Sequence, residues 1–312
     1  MSRRTRTTAY LFATIAVAGT LTACGGDPLD SDSDSGSGSD SDSGTIVVGS
    51  ANFPESELLM EMYAQALEAE GVEVETKPNI GSREVYMEAF KSGDIDLLPE
   101  YNGGLLSYLT EGDMPEGVSA PEDVYTALQD VLPEGSQTLP QSAAEDKDSL
   151  TVTKETAEKY SLSSIEDLAP IAKDLKLGAS PEFKKRAQGV PGLEKAYGVT
   201  FKELTPTDPG GPLTIAALKK GDVDVANVFT TDSAIPTNDW VVLEDPKNLF
   251  LAQNVVPLIR SEVLTDDAES ALNAVSDALT TENLTDALAE VQVDKADPAT
   301  VAKEFLADNG ID

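Results

Sequence analysis

The 312-residue chain carries 56 acidic against 22 basic side chains, a formal net charge of −34, and no histidine. Such a charge repels nucleic-acid phosphates, and the missing imidazole removes the commonest general base, the usual catalytic triads and the usual zinc ligand. One cysteine, Cys24, leaves no partner for a disulfide within the chain.

The first residues read as a leader rather than as fold. Arg3, Arg4 and Arg6 precede an apolar run from Ala9 to Leu21, shorter than the roughly 20 residues a spanning helix needs. Leu21-Thr22-Ala23-Cys24 follows at once, with small residues ahead of the thiol. Asp27 to Gly44 is almost entirely Asp, Ser and Gly, too poor in apolar surface to offset the entropy of ordering, and reads as a flexible tether.

Thr45 to Gly49 is a β-branched opening strand, followed by the loop Ser50-Ala-Asn-Phe-Pro-Glu55. Glu57 to Glu70 places Leu58, Met62, Ala66 and Leu67 at helical spacing and stops at Gly71. Val72 to Lys77 reads as a strand, Arg83 to Lys91 as a helix and Ile95 to Leu98 as a strand, with Tyr101 on the loop beyond. This β-α-β-α-β order implies a parallel sheet with its ligand beyond the carboxyl ends of the strands, where Phe53 and Tyr101 fall. Pro121 to Val131 is a helix, and Ser149 to Thr153 carries the chain into a second lobe. There, helices are expected over Ala157–Tyr160, Ile165–Leu175 (capped by Ser163 or Ser164), Leu193–Tyr197 and Thr214–Lys220. A strand and loop are expected at Leu177–Pro181, and strands at Phe201–Leu204 and Val223–Val228, the last ending at Phe229. Trp240–Leu243 and Asn254–Ile259 read as strands returning to the first lobe, and three helices finish the chain over Asp267–Leu279, Asn283–Val291 and Pro298–Leu306.

Two stretches echo each other. Lys91-Ser-Gly93-Asp-Ile-Asp-Leu97 runs on to Tyr101, and Lys219-Lys-Gly221-Asp-Val-Asp-Val225 runs on to Phe229, each ring eight positions after its glycine. A unit used twice suggests two similar α/β lobes that each lend a ring to a shared cleft, in a clamshell hinged by two crossings. Asp94, Asp96, Asp222 and Asp224 read as turn-forming, because their spacing does not match a calcium loop. The expected boundaries are a leader over 1–23, Cys24 and the tether over 24–44, lobe 1 over 45–149 plus 246–312, and lobe 2 over 150–245.

Glu100-Tyr-Asn-Gly-Gly104, Gly49-Ser-Ala-Asn-Phe-Pro-Glu55, Ser180-Pro-Glu-Phe183 with Arg186, and Thr230-Thr-Asp232 together resemble the substrate-binding lipoproteins of osmoprotectant ABC importers. These take up glycine betaine, choline, carnitine and related quaternary amines. The resemblance covers essentially the whole body and implies a periplasmic-binding-protein-like α/β clamshell. Leu21 to Cys24 is similar to the lipobox of such proteins, so Cys24 is expected to be lipidated and to hold the body at the extracytoplasmic face of the cell membrane. The implied partners are a small solute and the membrane subunits of a permease, with no nucleic acid, no cofactor and no metal.

The family encloses the trimethylammonium group in a box of aromatic rings. Tyr101 matches one box tyrosine, and Phe229 stands where another is usual, with Phe53 beside them. Asp148 and Gln253 replace two further tyrosines, and Asp148 can favour choline-like cations over zwitterions. For the ligand's other end the resemblance implies Ser56, Asn102 and Gly104, with Arg186 as carboxylate partner, and Thr231 is a further ligand-binding candidate. The alternatives are a binding protein for another small polar solute (a polyol or an amino-acid derivative) and a surface lipoprotein without a transport role. An enzyme is disfavoured, since no histidine, free cysteine or Gly-x-Ser-x-Gly elbow accompanies the carboxylates.

Overall fold

The structure is a computed structural model describing residues 44–311 apart from 116. The expected leader, Cys24 and all of the tether but Gly44 lie outside the described residues. The first lobe opens with β1 (Ile46–Gly49), α1 (Pro54–Ala69), β2 (Val74–Lys77), α2 (Arg83–Ser92), β3 (Leu97–Tyr101), α3 (Asn102–Leu109), α4 (Pro121–Gln129) and β4 (Ser136–Thr138). The second lobe holds β5 (Asp148–Val152), α5 (Lys154–Tyr160), β6 (Lys176–Ala179), α6 (Val190–Tyr197), β7 (Glu203–Pro206), α7 (Pro212–Lys220), β8 (Val225–Phe229), α8 (Ala234–Thr237) and β9 (Val241–Val242). The chain then returns through β10 (Val255–Arg260) to α9 (Asp266–Ala278), α10 (Thr281–Ala289), a π-helical turn at Glu290–Asp294, and α11 (Pro298–Asp308).

The strand orders are β2-β1-β3-β10-β4 and β7-β6-β8-β5-β9. The two sheets share one plan. β1 runs parallel to β2 and β3, and β6 runs parallel to β7 and β8. The sheets are mixed rather than purely parallel, because each takes an antiparallel fourth strand from a segment that has just crossed between lobes. β10 sets Val255 opposite Tyr101, and β5 sets Asp148 opposite Phe229.

The echo motifs explain the matching lobes. Gly93 (φ 83°) and Gly221 (φ 72°) end α2 and α7 in the left-handed conformation that glycine adopts without a Cβ penalty. The second aspartate of each motif then staples the sheet. Asp96 Oδ2 accepts from Val47 N at 2.9 Å, and Asp224 Oδ2 accepts from Lys176 N at 2.8 Å. Tyr101 and Phe229 are the last residues of β3 and β8, so the same geometry aims both rings.

Three elements differ from expectation. Ile165–Leu175 is no α-helix but two 3-10 turns, Ile165–Leu168 and Ala172–Asp174. Pro170 lies between them, and it has no N–H to continue a helix. β9 pairs with β5 and stays in the second sheet; Leu249 and Phe250 still pack in that lobe's core, so the return follows them. α3 is helical despite Gly103 and Gly104, each of which costs roughly 1 kcal/mol in a helix. Close packing explains the first, since a Cβ on Gly103 would stand 2.3 Å from the Ala252 carbonyl oxygen. Beneath the first sheet, α1 buries Leu58, Leu59, Met62, Tyr63 and Leu67 completely, each worth about 1.5–3 kcal/mol in burial. That rigid helix carries Phe53 and Glu55 at its start.

Candidate functional site

Three rings from the two lobes meet. Phe53 precedes α1, Tyr101 ends β3 and Phe229 ends β8. The Phe53 ring lies 6.0 Å from that of Tyr101 and 5.2 Å from that of Phe229, tilted by 36° and 42°. All three line a cavity of ≈ 50 Å³ between the lobes, together with Tyr86, Arg83, Asp146, Asp148, Arg186 and Gln253 among others. A larger groove of ≈ 400 Å³ is lined by Gly103, Gly104, Leu249 and Phe250 but by no carboxylate. Of these two spaces only the smaller is lined by carboxylates.

The charges lining the cavity are not equally committed. Arg83 binds Glu100 in a buried fork, with Nε donating to Oε1 and Nη2 to Oε2, both at 2.9 Å. Arg186 forks onto Glu84 across the cleft at 3.0 Å and 3.0 Å. Burial raises the Glu84 carboxyl, but the bonds and charge of Arg186 outweigh it and hold Glu84 down to about 2. Asp148, by contrast, has only neutral donors, Asn227 Nδ2 at 2.9 Å and Gln253 Nε2 at 3.3 Å. Asp146 likewise accepts from Thr231 N at 3.2 Å and Thr230 Oγ1 at 3.3 Å.

A protein-family model described as the substrate binding domain of ABC-type glycine betaine transport systems matches residues 44–308. The chain belongs to this family. As a member it is the solute-binding component of an ABC importer and not an enzyme. It is similar to the carnitine transport binding protein OpuCC of Listeria monocytogenes, at 29% identity over 85% of this chain and 87% of that protein. It is also similar to the glycine betaine-binding protein YehZ of Escherichia coli, at 28% identity over 85% and 90%. A crystal structure of a glycine betaine/carnitine/choline ABC transporter superposes with TM-score 0.67 at 26% identity, covering 85% of this chain and 99% of that one.

The residues singled out from sequence sort into two groups in this family member. Phe53, Tyr101, Phe229, Asp148, Arg186 and Gln253 line the cavity, whereas Ser56, Asn102, Gly104 and Thr231 do not. Ser56 Oγ accepts from Ala51 N at 2.9 Å and shapes the loop carrying Phe53. Asn102 Oδ1 accepts from Gly103 N and Asn254 N at 2.7 and 2.9 Å, tying α3 to the returning segment. Gly104 makes room, since a Cβ there would stand 2.8 Å from both Arg83 Nη2 and Gln253 Oε1. Thr231 sends its hydroxyl to Glu55 Oε2 at 2.5 Å, from the second lobe to the first. Arg186, expected to receive a ligand carboxylate, instead spends its fork on Glu84. Asp232 caps the turn after β8 by accepting from Ala234 N at 2.7 Å.

Sequence reasoning missed Arg83, Tyr86, Glu55 and Asp146. Tyr86 donates to Glu100 Oε1 at 2.8 Å, and Tyr101 donates its phenol to Glu55 Oε1 at 2.6 Å. Burial drives the Glu55 carboxyl above its ordinary range against the bonds from Thr231 and Tyr101. Asp146 is pushed up further, by burial first and by the charge of Glu55 second.

Proposed function

We propose that this protein captures a quaternary-amine osmoprotectant between its lobes, with Phe53, Tyr101 and Phe229 against the trimethylammonium group and Asp148 as the facing charge. The cation then passes to a permease. The convergence of three rings from both lobes on one cavity with incompletely neutralised carboxylates carries this reading. A cation that cannot donate hydrogen bonds is best met by π faces, each worth about 0.5–2 kcal/mol depending on desolvation. The ligands named for relatives, carnitine and glycine betaine, support the same class.

Calorimetric titration of residues 44–312 with choline, glycine betaine, carnitine and a polyol tests it. Saturable heat is expected from the quaternary amines and none from the polyol; the reverse pattern would overturn the assignment. Asp148→Asn is expected to weaken choline several-fold more than glycine betaine, because a zwitterion brings its own anion. Equal losses would remove Asp148 from cation selection.

The leader and Cys24 support anchoring of the body by a diacylated thiol, with the Asp/Ser/Gly tether as spacer. No helix among the described residues is long and apolar enough to cross a membrane. Cys24→Ser is expected to shift the protein from the membrane fraction to the soluble fraction and to abolish labelling by a fatty-acid analogue. Retention in washed membranes would count against the anchor.

A further inference from the structure

Glu55 and Asp146 are facing acids without a cation between them. Glu55 is 2% exposed and Asp146 3%, and no salt bridge among the described residues reaches either. The groups packed around them are neutral or acidic. β3 supplies the Tyr101 phenol, the segment after β8 supplies Thr230, Thr231 and Asp232, and the crossing segment supplies Asp148. The two guanidiniums that share this cavity, on Arg83 and Arg186, are bound to Glu100 and Glu84. Lys147, adjacent in the chain, turns outward to Glu145.

Two carboxylates buried side by side in a low dielectric cannot both ionise cheaply, so one holds a proton. Both Glu55 oxygens already accept hydroxyl donors, from Tyr101 and Thr231. The acid that remains to be protonated is Asp146, which is also the one lining the cavity.

We propose that Asp146 is a proton-holding residue of the ligand cavity. It stands as a neutral acid beside ionised Glu55 until a quaternary cation settles next to it, and then releases its proton. The carboxyl O–H bond breaks, the electron pair stays on Asp146, and the proton passes to solvent. One positive charge enters as one leaves, so capture is a charge-neutral exchange. Glu55 is the positioning partner: its charge adds to burial in keeping Asp146 protonated, and its hydroxyl contacts join the site ring Tyr101 to the opposite lobe. This rests on the quaternary-amine reading above.

Choline titrated into the tether-free body, in phosphate and in Tris over a range of pH, counts the protons. Below the raised titration range of the pair, release approaching one proton per choline is expected. Affinity should rise by up to roughly tenfold per pH unit as pH climbs towards that range, then level off above it. Glu55→Gln removes the neighbouring charge but leaves the burial, so the pH range of release should move downward, with fewer protons released than by the wild type near the top of the original range, while binding persists. A purely structural Glu55 would change the affinity without moving that range. Equal heats in the two buffers at every pH, or an unmoved release range in Glu55→Gln, would overturn the proposal. Should that variant fail to fold, Asp146→Asn is expected to bind weakly without releasing a proton, and release persisting there would equally overturn it. Absence of heat with any quaternary amine overturns the ligand assignment itself, an outcome separable from binding without exchange.

Discussion

Arg83→Met is expected to destabilise the fold by about 3–5 kcal/mol, the usual result of stripping one partner from a buried ion pair. Glu100 is fully buried and takes four donors, from Arg83 Nε and Nη2, the Tyr86 hydroxyl and Tyr101 N. All four donors lie on α2 or β3. Without the guanidinium, a negative charge stays in the interior with neutral donors alone. Adding Glu100→Gln removes that charge while keeping one oxygen for Tyr101 N and an amide N–H that can donate to the Tyr86 hydroxyl, so the double variant should regain most of the loss. Chemical denaturation of the single and double variants measures both. A cost under about 1 kcal/mol for the single variant would mean that water reaches Glu100 and that the pair belongs with surface bridges.

Tyr101→Ala should weaken a quaternary amine on the order of tenfold or more while the protein still folds. Two losses combine. The ring that faces Phe53 disappears, and Glu55 loses the phenol that donates to it at 2.6 Å. Tyr101→Phe separates them, since it keeps the π face and removes only the hydrogen bond. The ordering wild type, then Tyr101→Phe, then Tyr101→Ala is therefore expected in affinity. Unchanged affinity for Tyr101→Ala would remove this ring from the site.

What could be read from sequence was what local chemistry decides. The glycine turns, the stapling aspartates and the rings at the ends of β3 and β8 all lie within one short motif, repeated. The breaks came where distant groups settle the outcome. Arg186 is an ordinary cation beside Lys184 and Lys185 until Glu84, far away in the chain, stands opposite it across the cleft. Ser56, Asn102 and Thr231 carry polar groups that sequence assigns to a ligand, yet each is taken up by a backbone amide or carboxyl of the fold. Arg83 had a usable signal. Arg83, Tyr86, Met87 and Phe90 fall on one helical face, and a guanidinium on an apolar stripe needs a buried anion. Pro170 was equally legible, because a proline in mid-pattern argues against a continuous helix.

The two crossing strands are bonded to each other as well as to their sheets. Asp146 N donates to the Gln253 carbonyl at 3.1 Å, Val255 N to that of Ala144 at 3.1 Å, and Glu145 bridges Asn254. Asp146, Asp148 and Gln253 on this two-ply band also line the solute cavity. Under the proposed function, the band that joins the lobes and the surface that holds the solute are thus the same few residues. A substitution chosen to tighten retention will also alter the stiffness of the band, so dwell time and handover to the permease are bound to vary together. Engineering this receptor for a new cargo would then be easiest from the rings, which sit off the band, and hardest from the acids, which are part of it.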